Sequence, residues 1–371
     1  MHIITNYTAN AGAEAMLSRL LSVSQTPAIV ISLMNISDHR RQRTDLIRYE
    51  ALGMRSPAAA GVTLWRLSRI IARTEPDLII CWMYHALIAG VLAERLRRIL
   101  PFRGVLTGER SKARPIPVFW NVRQSLDDPG ALSRSTRLAV AISKRLSHKA
   151  AGIIFNSSRA YALHRSIGFR NHNMVVIPNG FELASPPASI QVRPQLFGIA
   201  ARFHRQKDHA TFFRAAAIVH RQKPAARFVA VGEGLSSDNP EIQALLAEAG
   251  LPAEVIDLRG EVADMDPFYR EIDVLVLSSR TEGFPNVVAE AMAHGKPVIT
   301  TDVGDAAAVV GETGIVVPPG DPSALAQAMC GMADISPSDY RLLSLSARRR
   351  IEDHYSLPQI ARRYELFLGH P

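Results

Sequence analysis

The hydrophobic positions of the chain form short apolar runs, separated by stretches with helical or polar patterning. In the first half, apolar runs predict strands at residues 2–5, 28–33, 78–81, 104–107, 152–155 and 174–177. In the second half, they predict strands at residues 196–201, 227–231, 255–258, 274–277, 297–301 and 314–317. Apolar residues recur at helical spacing between the runs, as over residues 62–73 and 132–149. This alternation predicts an α/β protein.

The strand predicted at 274–277, a polar turn and the helix predicted at 287–293 form one strand–turn–helix unit. Glu282 lies in the turn and Glu290 lies on the helix, with seven residues between them. In open α/β sheets, ligands bind beyond the carboxyl ends of strands, where helix N-termini present backbone N–H groups. Two carboxylates framing such a helix could hold the hydroxyls of a sugar or ribose while the N–H groups hold its phosphates.

A second strand–turn–helix unit carries two cations. Arg202 and Lys207 lie five residues apart across the turn that follows the strand at 196–201, so both can point at one diphosphate. Cations held in place at such a turn would stabilise the negative charge of a bound diphosphate. The nearby turn around Glu233, flanked by Gly232 and Gly234, suits a close approach of a nucleotide.

Two positions in the first half stand at the same kind of edge. His85 follows the strand at 78–81, on the ligand-facing rim. Gly12 opens the helix predicted at 13–21, where a glycine lets backbone N–H groups approach a phosphate. Either position is also compatible with an ordinary structural role.

Length and composition narrow the protein class. A chain of 371 residues with 47% hydrophobic residues favours two domains. Cys81 and Cys330 are distant from each other in sequence, which fits a reduced, cytoplasmic compartment rather than a disulfide framework. No signal-peptide pattern, membrane-spanning stretch or metal-binding acidic set is expected; Asp264 and Asp266 have a suitable spacing, but they open a predicted helix.

Charge is distributed unevenly along the chain. Residues 1–185 hold 25 Lys+Arg against 11 Asp+Glu, whereas the remainder holds 18 against 23. The basic first half suggests an anionic partner. Without an aromatic-interleaved basic motif or a nucleic-acid module, nucleic acid is disfavoured. An anionic membrane face or a lipid-diphosphate acceptor suits this charge better, and a merely solvated basic surface is the alternative.

The text EGFPNVVAEAMAHGKPVITTDVGD around Glu282 and Glu290 resembles the E-x7-E region of the family-4 retaining glycosyltransferases of the GT-B fold. Pro178, Asn179 and Gly180 resemble that family's turn at the end of its first domain. Residues 119–125 resemble the W-N-x-R-x-S text of a subgroup that builds O-antigen and exopolysaccharide chains. One departure is Ala11, which stands where the family usually has the first of two adjacent glycines.

The resemblance implies two Rossmann-like domains facing across a cleft, with a C-terminal helix crossing back to the first domain. It places an acceptor-binding domain at residues 1–188, a nucleotide-sugar-binding domain at 189–352 and the returning helix at 353–371. It implies retaining, metal-independent transfer from a nucleotide-diphosphate sugar, with a UDP-sugar expected. No cofactor other than the donor is expected.

The resemblance also implies roles for individual residues. Arg202 and Lys207 would neutralise the diphosphate, Glu282 would hold sugar hydroxyls, and Glu290 would hold the ribose. His85 would contact the donor sugar, and Val262 would flank the nucleobase. The remaining donor-binding candidates are Gly12, Glu233, Gly283, Phe284, Pro285, Asn286 and Val287.

Acceptor recognition is expected in the basic loop at residues 108–117 and in the residues after it. Arg110 and Arg123 are the expected contacts to phosphate or hydroxyl groups. The acceptor would be a lipid-linked saccharide in bacterial surface polysaccharide synthesis. The protein would then bind peripherally at the inner face of the cytoplasmic membrane. Two alternatives remain open: a nucleotide-sugar epimerase of similar fold, and a non-catalytic member that only binds nucleotide sugars.

Overall fold

The computed structural model describes residues 1–8, 12–42, 45–99, 114–127, 130, 132–183 and 194–369. The chain divides into two compact units: unit 1 comprises Met1–Gly180 and Ile360–Pro371, and unit 2 comprises Phe181–Gln359. The boundary predicted between residues 188 and 189 lies outside the described residues. The chain returns to unit 1 at Ile360, not at residue 353, because the last long helix of unit 2 extends to Tyr355 and buries Ile351 in that unit's core.

Unit 1 is a parallel sheet with helices between its strands. The strands are β1 (His2–Ile4), β2 (Ala28–Ser32), β3 (Ile47–Ala51), β4 (Ile79–Trp82), β5 (Val118–Val122), β6 (Gly152–Phe155) and β7 (Met174–Val176). The helices are α1 (Gly12–Val23), α2 (Ala60–Thr74), α3 (Tyr84–Ile99), α4 (Arg134–Leu146) and α5 (Ser158–Ser166). The sheet order within the described residues is β3-β2-β1-β4-β5-β6-β7. Ile3 of β1 pairs with Ile31 of β2 and with Cys81 of β4.

Two strands of unit 1 escaped prediction. The strand expected at 104–107 lies outside the described residues, whereas β3 and β5 form where no strand was expected. β5 corrects the interpretation of residues 119–125 as a recognition loop, because all five residues of this strand are buried. The polar Asn121 interrupts the apolar pattern by which a buried strand is predicted. Its side-chain amide can be buried because it donates to the hydroxyl of Tyr364 at 2.9 Å.

Unit 2 repeats the alternation of strand and helix, as predicted. Its strands are β8 (Leu196–Ala200), β9 (Arg227–Val231), β10 (Ile256–Leu258), β11 (Val274–Leu277), β12 (Val298–Thr301) and β13 (Gly314–Val317). Its helices are α6 (His209–Gln222), α7 (Pro240–Ala249), α8 (Asp266–Glu271), α9 (Asn286–Ala293), α10 (Ala306–Val310), α11 (Pro322–Ala333) and α12 (Pro337–Tyr355). The sheet order is β10-β9-β8-β11-β12-β13, with parallel pairing between neighbours. These strands are apolar because both faces of a parallel sheet are covered by helices.

The last helix, α13 (Leu357–Leu368), begins in unit 2 and ends in unit 1. In unit 1, the Phe367 ring packs edge-on against Phe119, with ring centroids 5.8 Å apart. The hydroxyl of Tyr364 accepts a hydrogen bond from Arg123 at 2.8 Å. These contacts tie the C-terminal residues of the chain to the sheet of its first half. None of the helices described has the length and apolar composition needed to cross a membrane.

Each sheet has one point where the strand order reverses. In unit 1 the chain proceeds from β1 outward to β3 and then returns to β4, on the other side of β1. In unit 2 it proceeds from β8 to β10 and returns to β11, on the other side of β8. Connections leaving the two strands of such a pair diverge, which opens a crevice at their carboxyl ends. The pairs β1/β4 and β8/β11 therefore mark where ligands are expected.

Candidate functional site

The crevice of unit 2 holds the two residues that the motifs indicated most strongly. Lys207 follows β8 and Glu282 follows β11, so they approach each other from either side of the reversal point. The Lys207 ammonium donates to Oε1 of Glu282 at 2.6 Å. The Ser279 hydroxyl donates to the same oxygen at 2.7 Å. Both charged side chains are largely shielded, with exposed fractions of 24% for Lys207 and 11% for Glu282, so the ion pair is held more firmly than a surface pair.

The loops carrying these residues are joined along their backbones. The N–H of Arg280 donates to the carbonyl of Gln206 at 2.7 Å, and the Ser278 hydroxyl donates to the carbonyl of Lys207 at 2.9 Å. The Arg280 guanidinium also pairs with the carboxylate of Asp208 at 2.9 Å, and Asp208 caps the N-terminus of α6. Arg280 thus fixes the loop that presents Lys207, a role that sequence reasoning missed.

A third loop, after β12, closes on the other side of Glu282. A Cβ atom added at Gly304 would lie 2.4 Å from the carbonyl oxygen of Glu282 and 2.5 Å from that of Gly283. The N–H of Asp305 donates to the Gly283 carbonyl at 3.0 Å, and the Thr301 hydroxyl donates to the carbonyl of Ser279 at 2.7 Å. Gly304 was also missed, although a glycine in the turn that follows a strand indicates a special backbone conformation or a close backbone approach.

The N-terminus of α9 follows Glu282 by four residues. Pro285 is the residue that caps this helix, and it has no N–H, so it supplies no backbone donor itself. Asn286 and Val287 form the first turn of α9, and a helix N-terminus of this kind favours an anion. The Phe284 side chain is buried and stacks against Phe181, with ring centroids 5.9 Å apart. Only the backbone of Phe284 is therefore suited to ligand binding.

Glu290 has a different partner from Glu282. The hydroxyl of Tyr269 donates to Oε2 of Glu290 at 2.8 Å, which orients this carboxylate on the second turn of α9. The two glutamates thus lie on one strand–turn–helix unit but are held by separate groups. Tyr269 was not a sequence candidate, because its position in α8 gives no signal of contact with α9.

The other donor-side candidates lie on neighbouring loops of unit 2. Arg202 follows β8 and is exposed; within the described residues its side chain has no carboxylate partner. Glu233 follows β9 and is exposed, and its carbonyl accepts from the N–H of Phe203 at 2.7 Å. Val262 is half-buried at the edge of the core. Arg202 and Glu233 thus belong to the same edge of the sheet as Lys207.

The crevice of unit 1 holds the remaining rim candidates. Gly12 opens α1 after β1, and His85 lies in the first turn of α3 after β4, so both lie at the reversal point of this sheet. Burial lowers the pKa of the half-buried His85 below its ordinary value. The imidazole is therefore neutral near pH 7, a state in which it can both donate and accept hydrogen bonds.

A single residue connects β4 to α3. This residue, Met83, has a φ of +68°, a left-handed conformation that costs a non-glycine residue about 1–2 kcal/mol. Its N–H donates to the Asn121 carbonyl at 3.1 Å and its carbonyl accepts from the N–H of Leu87 at 3.0 Å. The sharp turn that places His85 on the rim is therefore imposed by the surrounding structure.

The two acceptor candidates do not form a site in the described residues. Arg110 lies outside them. Arg123 is buried, and its guanidinium donates to the Tyr364 hydroxyl at 2.8 Å and to the Ile177 carbonyl at 3.2 Å. The expectation of an acceptor contact at Arg123 is corrected, because these bonds commit its side chain to anchoring α13 and the end of β7.

Family models match both halves of the chain. The model described as "Glycosyl transferase 4-like domain" matches residues 18–180. The model described as "Glycosyl transferases group 1" matches residues 194–334. The first match falls within unit 1 and includes His85. The second falls within unit 2 and includes Arg202, Lys207, Glu282 and Glu290.

Curated relatives match over part of their length. The chain is 33% identical over 139 residues to the lipopolysaccharide core biosynthesis mannosyltransferase LpsB of Rhizobium meliloti, covering 36% of this chain and 38% of the relative. It is 37% identical over 97 residues to the capsular polysaccharide biosynthesis glycosyltransferase CapM of Staphylococcus aureus, covering 26% of this chain and 25% of the relative. These alignments therefore span well under half of the relatives they match.

Solved structures match the fold over nearly the whole chain. HepE of Anabaena, crystallised with UDP and glucose, superposes with a TM-score of 0.79 at 19% identity, covering 99% of this chain and 98% of HepE. The lipopolysaccharide outer core galactosyltransferase WaaB, in its apo form, gives a TM-score of 0.72 at 16% identity, covering 100% of this chain and 99% of WaaB. At this level of identity the likeness shows the fold alone, and it confirms the predicted GT-B class.

Proposed function

Because the chain belongs to the glycosyltransferases of the family-4 type, we propose that it moves a sugar from a nucleoside-diphosphate sugar to a lipid-linked saccharide during synthesis of a bacterial surface polysaccharide. The observation that carries this proposal is the shielded pair of Lys207 and Glu282, at the reversal point of the unit 2 sheet and just before the N-terminus of α9. A cation, a carboxylate and a helix N-terminus are together suited to binding a sugar diphosphate.

Lys207 and Arg202 are proposed to stabilise the leaving group. As the bond between the anomeric carbon and the diphosphate oxygen breaks, negative charge accumulates on the diphosphate. An ammonium fixed in advance stabilises that charge without reorganising during the reaction. Glu282, which holds Lys207 at 2.6 Å, would bind sugar hydroxyls with its remaining acceptor capacity. Glu290, oriented by Tyr269, would bind the ribose.

The transfer step is proposed to retain the configuration of the sugar. The acceptor hydroxyl attacks the anomeric carbon on the face that the diphosphate leaves, and its proton passes to the leaving phosphate. A new carbon–oxygen bond thus replaces the broken one, with no separate protein base. His85 is proposed to contact the donor sugar, Gly12 to belong to the donor-binding residues, and Val262 to flank the nucleobase. Metal independence belongs to the same proposal, because Lys207 and Arg202 supply positive charge.

The relatives and solved structures support the choice of substrates. HepE binds UDP and glucose in its crystal structure, which favours a UDP-sugar as donor. LpsB and CapM are named for lipopolysaccharide core and capsular polysaccharide synthesis. These names favour an acceptor saccharide that belongs to the synthesis of a bacterial surface polysaccharide. The basic charge of the first half suits a lipid-diphosphate acceptor and peripheral binding at the inner face of the cytoplasmic membrane.

A thermal-shift screen tests the donor. UDP-, GDP-, ADP- and dTDP-sugars are each added to the full chain, and the midpoint of unfolding is measured. A donor present at 100 times its Kd stabilises the folded state by about 2.7 kcal/mol, so one nucleotide class should raise the midpoint and the others should not. The stabilising donor is then incubated with lipid-linked saccharides, with and without EDTA, and release of the nucleoside diphosphate is followed.

Release that requires the acceptor and survives EDTA supports the proposal. The anomeric configuration of the product, measured by NMR, tests retention. If no nucleotide sugar raises the midpoint of unfolding, or if the donor sugar is converted without any acceptor, the protein is not the transferase described here. The second result would instead indicate an epimerase.

A further inference from the structure

Two adjoining cavities lie in unit 1, away from the rim that carries Gly12 and His85. One has a volume of about 580 Å³ and is bordered by Arg165 and His172. The other has a volume of about 560 Å³ and is bordered by Lys144 and Arg145. His148 and Arg170 border both, so the cavities adjoin, and we call the pair of cavities the basic depression.

The basic depression lies at the amino ends of the strands, whereas the rim that carries Gly12 and His85 lies at their carboxyl ends. His148 lies in the connection that enters β6, and His172 lies in the connection that enters β7. Both connections therefore lie at the amino ends of strands, whereas Gly12 and His85 follow the carboxyl ends of β1 and β4. Because the strands of this sheet are parallel, the depression and the rim are separated by the length of the strands.

The charge of this region is of one sign. Residues 129–181 contain no Asp or Glu and eight Lys+Arg. The four cations of the depression, Lys144, Arg145, Arg165 and Arg170, have no carboxylate partner in the part of the chain that the structure describes. Like charges gathered without counter-charges repel one another, and a bound anion relieves that repulsion.

The walls of the depression are held together by hydrogen bonds of backbone and neutral side-chain groups, which leave the charged ends of the cations out of these bonds. The N–H of Arg170 donates to the Ser147 hydroxyl at 2.9 Å. The Asn171 amide donates to the carbonyls of Ser147 and Ala150 at 2.9 and 2.8 Å. The connections after α4 and α5 are therefore fastened together, and this holds Arg170 beside the C-terminal end of α4 before any ligand arrives.

One cation is also positioned by packing. Gly168, at the end of α5, has a φ of +101°, and a Cβ there would lie 2.7 Å from Cε of Lys144. The absence of a side chain at Gly168 lets the Lys144 stem lie against this turn. The C-termini of α4 and α5 each contribute about half a negative charge, which the four full positive charges of the depression outweigh.

We propose that the basic depression binds a phosphate-bearing anion, at a site separate from the one assigned to the donor. Guanidinium groups match phosphate through paired N–H donors, and Arg145, Arg165 and Arg170 supply three of them around the two adjoining cavities. The phosphate belongs either to an anionic lipid headgroup or to a soluble phosphate compound. This inference does not depend on the function proposed above.

Paired variants of the full chain test the site. Arg145→Gln with Arg170→Gln removes two charges from the depression. Arg134→Gln with Arg137→Gln removes the same charge from the other end of α4, where both arginines are exposed. The lipid arm measures sedimentation with vesicles of phosphatidylcholine, with and without phosphatidate. The soluble arm measures calorimetric binding of inorganic pyrophosphate in a Lys207→Ala background, which removes the cation expected to bind diphosphate in unit 2.

Loss of charge-assisted bonds in the depression should weaken binding about tenfold or more, while the control pair should change it by about twofold or less. Vesicle binding that follows this pattern assigns the phosphate to a lipid headgroup, and pyrophosphate binding that follows it assigns a soluble ligand. Equal losses in the two pairs would show only a diffuse basic surface and overturn the site. So would the absence of binding to both probes.

Discussion

Lys207 carries the charge that the proposed chemistry needs, and Glu282 holds that charge in position. Two separate strand–turn–helix units pointed to these residues, but neither predicted their contact at 2.6 Å. That contact exists because β8 and β11 are neighbours in the sheet although β9 and β10 separate them in sequence. Apolar runs identify strands, whereas the order in which strands pair is not written in those runs. The same limit hid Arg280 and Gly304, whose roles depend on neighbouring loops.

Replacement of Lys207 by alanine should lower the rate of transfer by about 100- to 1,000-fold, because a fixed group that stabilises transition-state charge contributes about that much. The rate is measured as release of nucleoside diphosphate with the donor and acceptor found for the natural chain. Lys223→Ala is the matched control: it removes a lysine of unit 2 whose partner is Asp334 at 2.5 Å, and its rate should be unchanged. An unaltered rate in a folded Lys207→Ala protein would refute the role of Lys207.

At the scale of elements, patterning predicted the strands that are apolar throughout and failed where a core strand carries polar residues. β5 has Asn121 among its five buried residues, and Arg123 follows it directly, so the stretch resembled an exposed loop. The Asn121 amide and the Arg123 guanidinium both donate to the hydroxyl of Tyr364, more than 200 residues later in the chain. A partner that distant gives no local signal. The resemblance to a family, not the pattern, predicted that the C-terminal helix returns.

Tyr364→Phe should destabilise the protein by about 1–3 kcal/mol, because Asn121 and Arg123 would each keep a buried donor that has lost its acceptor. Urea denaturation measures the change. Tyr161→Phe is the control: its hydroxyl accepts only an exposed Arg165 guanidinium at 3.2 Å among the bonds described, and the expected change is within about 0.5 kcal/mol. Equal stability of Tyr364→Phe and the natural chain would contradict the anchoring role of Arg123.

At the scale of the whole molecule, both units contain a histidine that is buried in its neutral form. His164 lies in unit 1, where its Nδ1–H donates to the Ala160 carbonyl at 2.7 Å and its Nε2 accepts from the Tyr84 hydroxyl at 2.8 Å. His209 lies at the start of α6 in unit 2. Burial lowers the pKa of each to about 4. Unfolding exposes both rings to water, where their ordinary pKa is 6.5.

The free energy of unfolding should therefore fall as the pH falls from about 6.5 to about 4. In this range the unfolded chain binds protons that the folded chain excludes, so each of the two histidines lowers stability by about 1.4 kcal/mol per unit of pH. Above this range neither histidine contributes. Urea denaturation at a series of pH values measures the slope. His164→Gln removes one titrating group and should make the slope shallower; an unchanged slope would contradict the assignment to His164.

Gly304 limits what mutation can do to this protein. The space beside it is filled by the carbonyl oxygens of Glu282 and Gly283, which are backbone atoms and cannot be replaced by substituting their side chains. No second mutation in those residues can make room for a Cβ, because the obstruction is common to all twenty amino acids. Side chains around the site can therefore be substituted, whereas Gly304 must remain glycine as long as the three loops keep their arrangement.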